Sequence, residues 1–205
     1  LLGNALVYAP PDTDVVLRIS DSDDPAIGLA LRREKMRKGQ SFVVVPRIAD
    51  LAEMRKRLET TAPDLSLVEV HGKMPGAELD EAMVRFAAGK GDILLATNII
   101  ETGLDVPRAN TMIIWRSDRF GLAQLHQLRG RVGRGRRRGQ VILTTTGETV
   151  SDATAKRLRT LETFDQLGSG FSIAGADLDQ RGGGDILSDA QAGHMKLIGV
   201  ELYQH

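Results

Sequence analysis

The residues best suited to chemistry form a run of arginine and glycine between positions 129 and 139. Six of the ten residues from Arg129 to Arg138 are arginines, and residues 116–138 carry eight basic residues and one acidic residue, a local charge of +7. A guanidinium holds a permanent charge in a planar fork that binds two phosphate oxygens, and glycine lets the backbone approach a ligand closely. The run therefore predicts phosphate recognition, with a solvated basic loop as the alternative.

A second candidate is the polar segment ATNIIETGLDVPRAN at residues 96–110, which follows an apolar run and contains Thr97, Gly103 and Asp105. A hydroxyl at the end of a strand can bind a phosphate, and an aspartate can accept a hydrogen bond from a sugar hydroxyl or orient an arginine. The segment is therefore a candidate binding loop, although Gly103 and Pro107 could equally shape a tight turn.

Composition excludes several other kinds of site. Twenty-seven basic residues balance 27 acidic residues, so any basic surface must be local. The absence of cysteine rules out disulfides, thiol nucleophiles and cysteine-ligated metals. The four histidines lack metal-ligand spacing, so we expect no metal site. The sequence also lacks the GxxxxGKS or GxxxxGKT pattern of a phosphate-binding P-loop.

Alternating strand and helix patterns position these segments. The predicted strands are residues 15–19, 41–46, 66–70, 92–97, 111–115 and 140–145, and the predicted helices are residues 24–38, 48–60, 76–89 and 120–130. This order predicts an α/β fold, with a mostly parallel sheet and helices on both faces. Ligands bind beyond the carboxyl ends of such strands, so the segments that leave strands 92–97 and 111–115 are candidate functional loops.

The pattern changes toward the C-terminal end. Residues 151–168 predict one helix, and the rest mixes short apolar pieces with Gly, Asp and Ser, which predicts an appendage that packs on the α/β domain. The chain starts with neither Met nor a signal-peptide pattern, so we expect a fragment of a longer protein. No stretch approaches 18 consecutive apolar residues, and we expect a cytoplasmic protein without a membrane partner.

Two sequence runs resemble a known family. GDILLATNIIETGLDVPRANTMII and DRFGLAQLHQLRGRVGR resemble motifs V and VI of superfamily 2 helicases and translocases, and FVVVPRI and HGKM resemble motifs IV and IVa. The tail, with KRLRTLETFDQLGSGF and DLDQRGGGDIL, resembles the TRG element shared by RecG and the transcription-repair coupling factors (Mfd). The ending IGVELY looks more like the latter. The resemblance implies a second RecA-like lobe with motifs IV to VI at residues 1–147, followed by a TRG helical hairpin and loop at residues 148–205.

The resemblance also implies roles for individual side chains. In this family ATP with Mg²⁺ is held between two lobes, mainly by a first lobe that carries the P-loop and that this chain lacks. The implied catalytic residues are Arg131, Arg134 and Gln127, the nucleotide-binding residues Gly103 and Asp105, the DNA-binding residues Thr97, His71 and Arg47, and the motor-coupling residues Arg157, Arg181 and Gln191. Arg131 and Arg134 would act as arginine fingers on the γ-phosphate.

The function implied by the resemblance is ATP-driven translocation on double-stranded DNA in transcription-coupled repair in the bacterial cytoplasm. The whole protein would displace stalled RNA polymerase and recruit excision repair, with RNA polymerase and UvrA bound by domains outside this chain. Without the first lobe we expect the fragment not to hydrolyse ATP. The alternatives are a RecG-type lobe that remodels replication forks, a non-catalytic nucleic-acid-binding module, and a structural or partner-binding domain.

Overall fold

The computed structural model describes residues 15–97, 106–133, 139–146, 151–152, 154–156 and 158, with side chains from residue 19 onward. The chain divides into two compact units, residues 1–165 and 166–205, and every structural feature below belongs to the first. Asp152, residues 154–156 and Leu158 are helical, at positions within the predicted helix 151–168. The rest of the predicted TRG element lies outside the described residues, so that element and its boundary after residue 147 stay predictions.

Six strands form one sheet in which every neighbouring pair is parallel. The strands are β1 (Val15–Ser20), β2 (Gln40–Val44), β3 (Leu67–Val70), β4 (Ile93–Ala96), β5 (Ala109–Ile114) and β6 (Gln140–Thr145), in the spatial order β1-β6-β5-β2-β4-β3. Strands β2, β4 and β5 are buried along their whole length. A strand covered on both faces needs apolar residues at successive positions, which explains the continuous apolar runs in the sequence. The predicted parallel sheet is confirmed.

Four helices cover the two faces of the sheet. They are α1 (Asp24–Met36), α2 (Leu51–Thr61), α3 (Gly76–Ala87) and α4 (Leu122–Arg129). Helices α1 and α2 share one core cluster with Val43 and Val45. On the opposite face of β2, the ring of Phe42 lies 5.9 Å from the ring of Phe86 on α3. Because alternate side chains of a strand point to opposite faces, these contacts place helices on both sides, as predicted.

A buried carboxylate fixes α1 against the start of β5. Glu34 is 1% exposed and accepts hydrogen bonds from Asn110 Nδ2 at 3.1 Å and Thr111 Oγ1 at 2.9 Å. Losing this acceptor would leave the Thr111 hydroxyl buried without a partner, at about 1–3 kcal/mol, and would leave Asn110 Nδ2 only its bond to the Arg108 carbonyl at 3.1 Å. The contact therefore anchors the amino end of β5, the strand whose carboxyl end leads into the candidate site.

Candidate functional site

A cleft of about 420 Å³ opens at the carboxyl end of the sheet, and we call it the carboxyl-edge cleft. Its walls come from the segments that follow β2 and β4 and from the connection between β5 and α4. The lining residues are Pro46, Arg47, Ile48, Thr97, Arg119, Phe120, Gln124 and Leu128. Both predicted loops, after β4 and after β5, contribute to it. Two guanidiniums and a hydroxyl give the cleft donors that suit a phosphate.

The connection from β5 to α4 begins with an unusual backbone conformation at Arg116, which has a φ of 51°. The backbone N–H of Arg116 donates to Thr144 Oγ1 at 2.9 Å, and Ser117 Oγ donates to the Thr144 carbonyl at 2.9 Å. A short 3-10 turn, Ser117–Arg119, follows. These bonds to the end of β6 fix the start of the segment that delivers Arg119 and Phe120 to the cleft.

Helix α4 begins with a side-chain cap. Gln124 Oε1 accepts a hydrogen bond from the Gly121 N–H at 3.0 Å, which satisfies one of the amide groups that the first helical turn leaves unpaired. Three leucines at three-residue spacing, Leu122, Leu125 and Leu128, are buried. Gln124 is exposed, and it lines the cleft together with Leu128, which lies one turn farther along the helix.

The turn after α4 carries the predicted arginine finger. Gln127 is exposed near the end of the helix, and Arg131 is half-buried just beyond it, with its N–H donating to the Leu128 carbonyl at 2.9 Å. Gly133 has a φ of 75°, a region that side chains rarely adopt. Glycine at this position therefore permits the left-handed turn that immediately precedes Arg134.

An ion pair lies on the rim of the cleft. Arg47, whose side chain is 63% exposed, donates from Nε and Nη2 to the two carboxylate oxygens of Asp50, each at 3.0 Å. Hydrogen bonds from Arg47 hold the pKa of Asp50 below its ordinary value against the opposing effect of burial, and the charges of Arg119 and Arg116 add to the lowering. The same fork raises the pKa of Arg47. Asp50 is therefore a carboxylate at neutral pH.

Arg116 links the rim of the cleft to the segment after β1 and to α2 through its side-chain contacts. Its guanidinium lies 3.7 Å from the ring centroid of Trp115, a cation–π geometry. It donates from Nε to Asp21 at 3.1 Å and from Nη2 to Glu53 at 3.3 Å, and its Nη1 lies 3.9 Å from Asp50. Trp115, which directly follows β5, is fully buried.

The structure brings together two of the predicted DNA-binding residues, Thr97 and Arg47, which both line the cleft. His71 follows β3 at the same edge of the sheet but does not line the cleft, and its Nδ1 atom is buried without a hydrogen-bond partner among the described residues. Gln127 and Arg131 do not line the cleft either. The remaining predicted residues, Gly103, Asp105, Arg134, Arg157, Arg181 and Gln191, lie outside the described residues.

Sequence reasoning missed three residues of this site: Arg119, Gln124 and Asp50. Arg119 belongs to the basic stretch 116–138, and its position shortly after the predicted strand 111–115 is the signal that could identify it. The Arg–x–x–Asp spacing of Arg47 and Asp50 was a second available signal, since residues three apart at a helix start can pair. Neither of these two signals reveals which residues face a cleft.

Within the described ranges, no group of three or more His, Asp or Glu residues could hold a metal ion. In that same part of the chain, no helix has the length and apolar character needed to cross a membrane. His126, on α4, has its pKa lowered by partial burial and by the charge of Arg129.

Comparison with known proteins identifies a family. The sequence profile of the helicase conserved C-terminal domain matches residues 25–136, which is more than half of the chain. The chain is 43% identical to the transcription-repair-coupling factor of Rickettsia prowazekii over 203 residues, 98% of this chain and 18% of that protein. It is 41% identical to the same factor from Staphylococcus haemolyticus over 97% of this chain. The chain thus spans about a fifth of the length of these curated relatives.

Two solved structures are also similar. A structure of RecG bound to a three-way DNA junction matches with a TM-score of 0.72 and 38% sequence identity, covering 88% of this chain and 24% of that chain. The C-terminal domain of the DEAD-box protein Dbp5 matches with a TM-score of 0.55 and 18% identity, covering 74% of this chain and 84% of that chain. The second likeness is one of fold alone. Both support the predicted RecA-like architecture.

Proposed function

Because the chain belongs to the helicase conserved C-terminal domain family and is similar to transcription-repair-coupling factors along almost its whole length, we propose that it is the second motor lobe of an ATP-dependent double-stranded DNA translocase. The whole protein displaces stalled RNA polymerase and recruits excision repair. The observation that carries the proposal is the carboxyl-edge cleft, where Arg47, Thr97 and Arg119 meet.

The cleft supports binding of the DNA backbone. Guanidinium and hydroxyl groups bind phosphates without reading the bases, which suits a protein that moves along DNA of any sequence. Thr97 and Arg47 contact backbone phosphates, and His71 supplies a further contact at the end of the neighbouring strand β3. Each phosphate that a cation neutralises releases counterions, so the affinity falls as the salt concentration rises.

The segment after α4 supports a role in ATP hydrolysis. Arg131 and Arg134 are the arginine fingers, Gln127 of α4 acts with them, and Gly103 and Asp105 contact the nucleotide. ATP with Mg²⁺ is held mainly by the first RecA-like lobe. Transfer of the γ-phosphoryl group spreads negative charge over its oxygens, and an inserted guanidinium stabilises that charge, which is worth about 10³ to 10⁵ in rate. This chain without that lobe has negligible hydrolysis.

The C-terminal region couples hydrolysis to movement in this proposal. Arg157, Arg181 and Gln191 form a polar network of the TRG element that transmits lobe closure to the DNA grip. RNA polymerase and UvrA bind domains outside this chain, and the protein works in the bacterial cytoplasm.

A RecG-type lobe that remodels replication forks is the second candidate. The structure of RecG bound to a three-way DNA junction favours it, at 38% identity over 88% of the chain. The transcription-repair-coupling factors match at 43% over 98% of the chain, including the tail. Release of stalled RNA polymerase from DNA by the full-length gene product distinguishes the first candidate, and regression of a model fork distinguishes the second.

The experiment that tests the motor role compares DNA-stimulated ATP hydrolysis by the full-length gene product with that of Arg131→Ala. We expect turnover to fall by about 10³-fold while DNA binding is retained, because the developing charge on the phosphoryl group loses a partner, and thermal unfolding checks that the variant is folded. The matched control is Arg33→Ala, which removes an exposed arginine near the end of α1 and should leave turnover unchanged.

Unchanged turnover in Arg131→Ala would assign the arginine run to DNA binding or to surface charge. The non-catalytic nucleic-acid-binding module would then be the better conclusion, because a lobe without an arginine finger contributes little to phosphoryl transfer.

A further inference from the structure

A carboxylate beside a cleft for DNA phosphates needs an explanation, because like charges repel. Asp50 lies immediately before α2, only three residues from Arg47 on the rim of the carboxyl-edge cleft, and it is 4% exposed. Burial of a charged group is unfavourable unless the charge is paired. A neutral residue at this position would avoid both the repulsion of phosphate and the free-energy cost of burying a charge.

Among the described residues, the side-chain hydrogen bonds and ion pairs of Asp50 are with arginines. Its two oxygens accept from Nε and Nη2 of Arg47, each at 3.0 Å, in a two-bond fork. Arg116 Nη1 lies 3.9 Å from Asp50, and the charge of Arg119 also acts on it. The fork occupies one edge of the Arg47 guanidinium and leaves Nη1 outside it, and the Arg47 side chain is 63% exposed. One edge of Arg47 is therefore held by the protein while the rest remains accessible.

Fixing the Arg47 side chain before the ligand arrives makes its binding to a phosphate more favourable. A free arginine side chain loses much of its rotamer entropy when a ligand immobilises it. A side chain that is already fixed loses less on binding, which is the general benefit of preorganisation. Since the carboxylate is buried and its charge is balanced by Arg47, its repulsion of a phosphate in the cleft is small.

Arg116 keeps this arrangement in place from the other side. It is stacked on the buried Trp115 ring and paired with Asp21 and Glu53, so its own position is fixed by three contacts. Its charge near Asp50 favours the ionised form of the carboxylate, the form that can accept both bonds of the fork.

We propose that Asp50 is a positioning residue that holds Arg47 on the rim of the carboxyl-edge cleft in the orientation in which it meets a DNA phosphate. This inference rests on the proposed function, because it requires that Arg47 contacts DNA. Asp50 itself touches no phosphate and acts through Arg47.

The test measures the affinity of the full-length gene product for duplex DNA over a series of salt concentrations. Asp50→Asn should weaken binding by about tenfold, the size expected when one charge-assisted phosphate contact is lost. The slope of log affinity against log salt should become shallower by about 0.9, since one phosphate is no longer neutralised.

A matched control separates positioning from charge. Glu59→Gln removes the same charge from an exposed side chain farther along α2, outside the contacts of Arg47 and Arg116. Simple repulsion predicts that both variants bind DNA more tightly. Positioning predicts that Asp50→Asn alone binds more weakly, so the two explanations differ in sign. Tighter binding by Asp50→Asn would overturn the inference and leave the proposed function standing.

A double-mutant cycle with Arg47→Ala completes the test. If Asp50 acts through Arg47, adding Asp50→Asn to Arg47→Ala should change the affinity by less than about twofold. An equal loss in both backgrounds would show that Asp50 acts elsewhere and would overturn the inference. If Arg47→Ala alone has no effect, Arg47 does not contact DNA, and the assignment of Arg47 under the proposed function fails together with the inference.

A conservative variant keeps the inference testable if Asp50→Asn does not fold. Arg47→Lys retains the charge of an exposed side chain but cannot form the two-bond fork with Asp50. Affinity should fall nearly as far as in Arg47→Ala. Wild-type affinity in Arg47→Lys would mean that the oriented fork is not needed, which would overturn the inference.

Discussion

At the scale of single residues, Arg116 combines an unfavourable backbone with favourable side-chain contacts. Its φ of 51° belongs to the left-handed region, which disfavours any residue with a Cβ by about 1–2 kcal/mol. Against this stand the stack on Trp115 at 3.7 Å and the ion pairs with Asp21 and Glu53. The side-chain contacts of Arg116 therefore compensate for the strain of its left-handed backbone. A glycine at this position would adopt the same φ without strain.

Two substitutions at Arg116 separate these effects. Arg116→Ala loses the side-chain contacts but keeps the strain, and it should lower the free energy of unfolding by about 2 kcal/mol. Arg116→Gly loses the same contacts but relieves the strain, so it should be more stable than Arg116→Ala by about 1 kcal/mol. Urea unfolding of both variants measures the difference. If glycine proves the less stable of the two, the left-handed conformation is not a source of strain.

At the scale of elements, the sequence predicted strands and helices well because their signals are local. All six strands and the first four helices appear where periodicity placed them, within a few residues. The differences lie at the ends. The segment predicted as a helix from residue 48 starts with a 3-10 turn, Ile48–Asp50, before α2. Helix α4 begins at Leu122, because the Gln124 side chain caps the N–H of Gly121.

The candidate site was predictable in part. Thr97 was accessible because the carboxyl ends of parallel strands converge at one end of a sheet, whereas Arg47 was implied only by the resemblance to motif IV. The contact between Arg116 and Asp21 joins residues that are 95 positions apart. No local pattern encodes such a pairing, because it depends on the strand order β1-β6-β5-β2, which brings the ends of β1 and β5 close together.

The turn after α4 yields a prediction about two glycines three residues apart. Gly133 has a φ of 75°, so Gly133→Ala should destabilise the protein by about 1–2 kcal/mol and, by disturbing the turn beside the proposed arginine fingers, reduce DNA-stimulated ATP turnover. Gly130 ends α4 with a φ of −65°, and a Cβ there would lie 3.6 Å from its nearest neighbour.

Gly130→Ala is therefore the matched control. It should change stability by less than about 0.5 kcal/mol and leave turnover unchanged, because its backbone already suits an alanine. Thermal unfolding and ATP hydrolysis of both variants provide the measurements. Equal effects of the two substitutions would show that backbone conformation does not distinguish these positions.

At the scale of the whole molecule, ionised carboxylates form ion pairs at both ends of the strands. Asp50 lies beyond the carboxyl end of β2, and Asp92 lies just before the amino end of β4. Burial raises the pKa of Asp92, but hydrogen bonds from Lys35 and Ser66 outweigh it, so the pKa is lowered overall. Asp92 accepts from the Ser66 N–H at 2.9 Å and from Ser66 Oγ at 2.8 Å, and it pairs with Lys35 of α1. It thereby joins α1, the start of β3 and the start of β4.

A lowered pKa in the folded state makes stability depend on pH in a defined direction. The stabilisation by Asp50 and Asp92 is fully present above the ordinary aspartate pKa of about 3.9, because both folded and unfolded forms are then ionised. As the pH falls below that value, the unfolded chain takes up protons first, and the stabilisation is lost progressively down to the folded-state pKa. The contribution of these two aspartates to the melting temperature should therefore be nearly constant above about pH 5 and fall steeply below about pH 4, whereas the lowered pKa of His126 should reduce stability slightly as the pH falls below about 6.5.

Asp92→Asn assigns part of this acid sensitivity to one group. At pH 7 the variant should be less stable than the wild type by about 2 kcal/mol, because the charged acceptor of Lys35 and Ser66 is lost. The difference should shrink as the pH falls below about 4, since protonation removes the same charge from the wild type. Asp80→Asn, which changes an exposed aspartate of α3, should follow the wild-type curve. A stability difference between Asp92→Asn and wild type that stays constant from pH 7 to pH 3 would mean that Asp92 stabilises the sheet by packing and not by its charge.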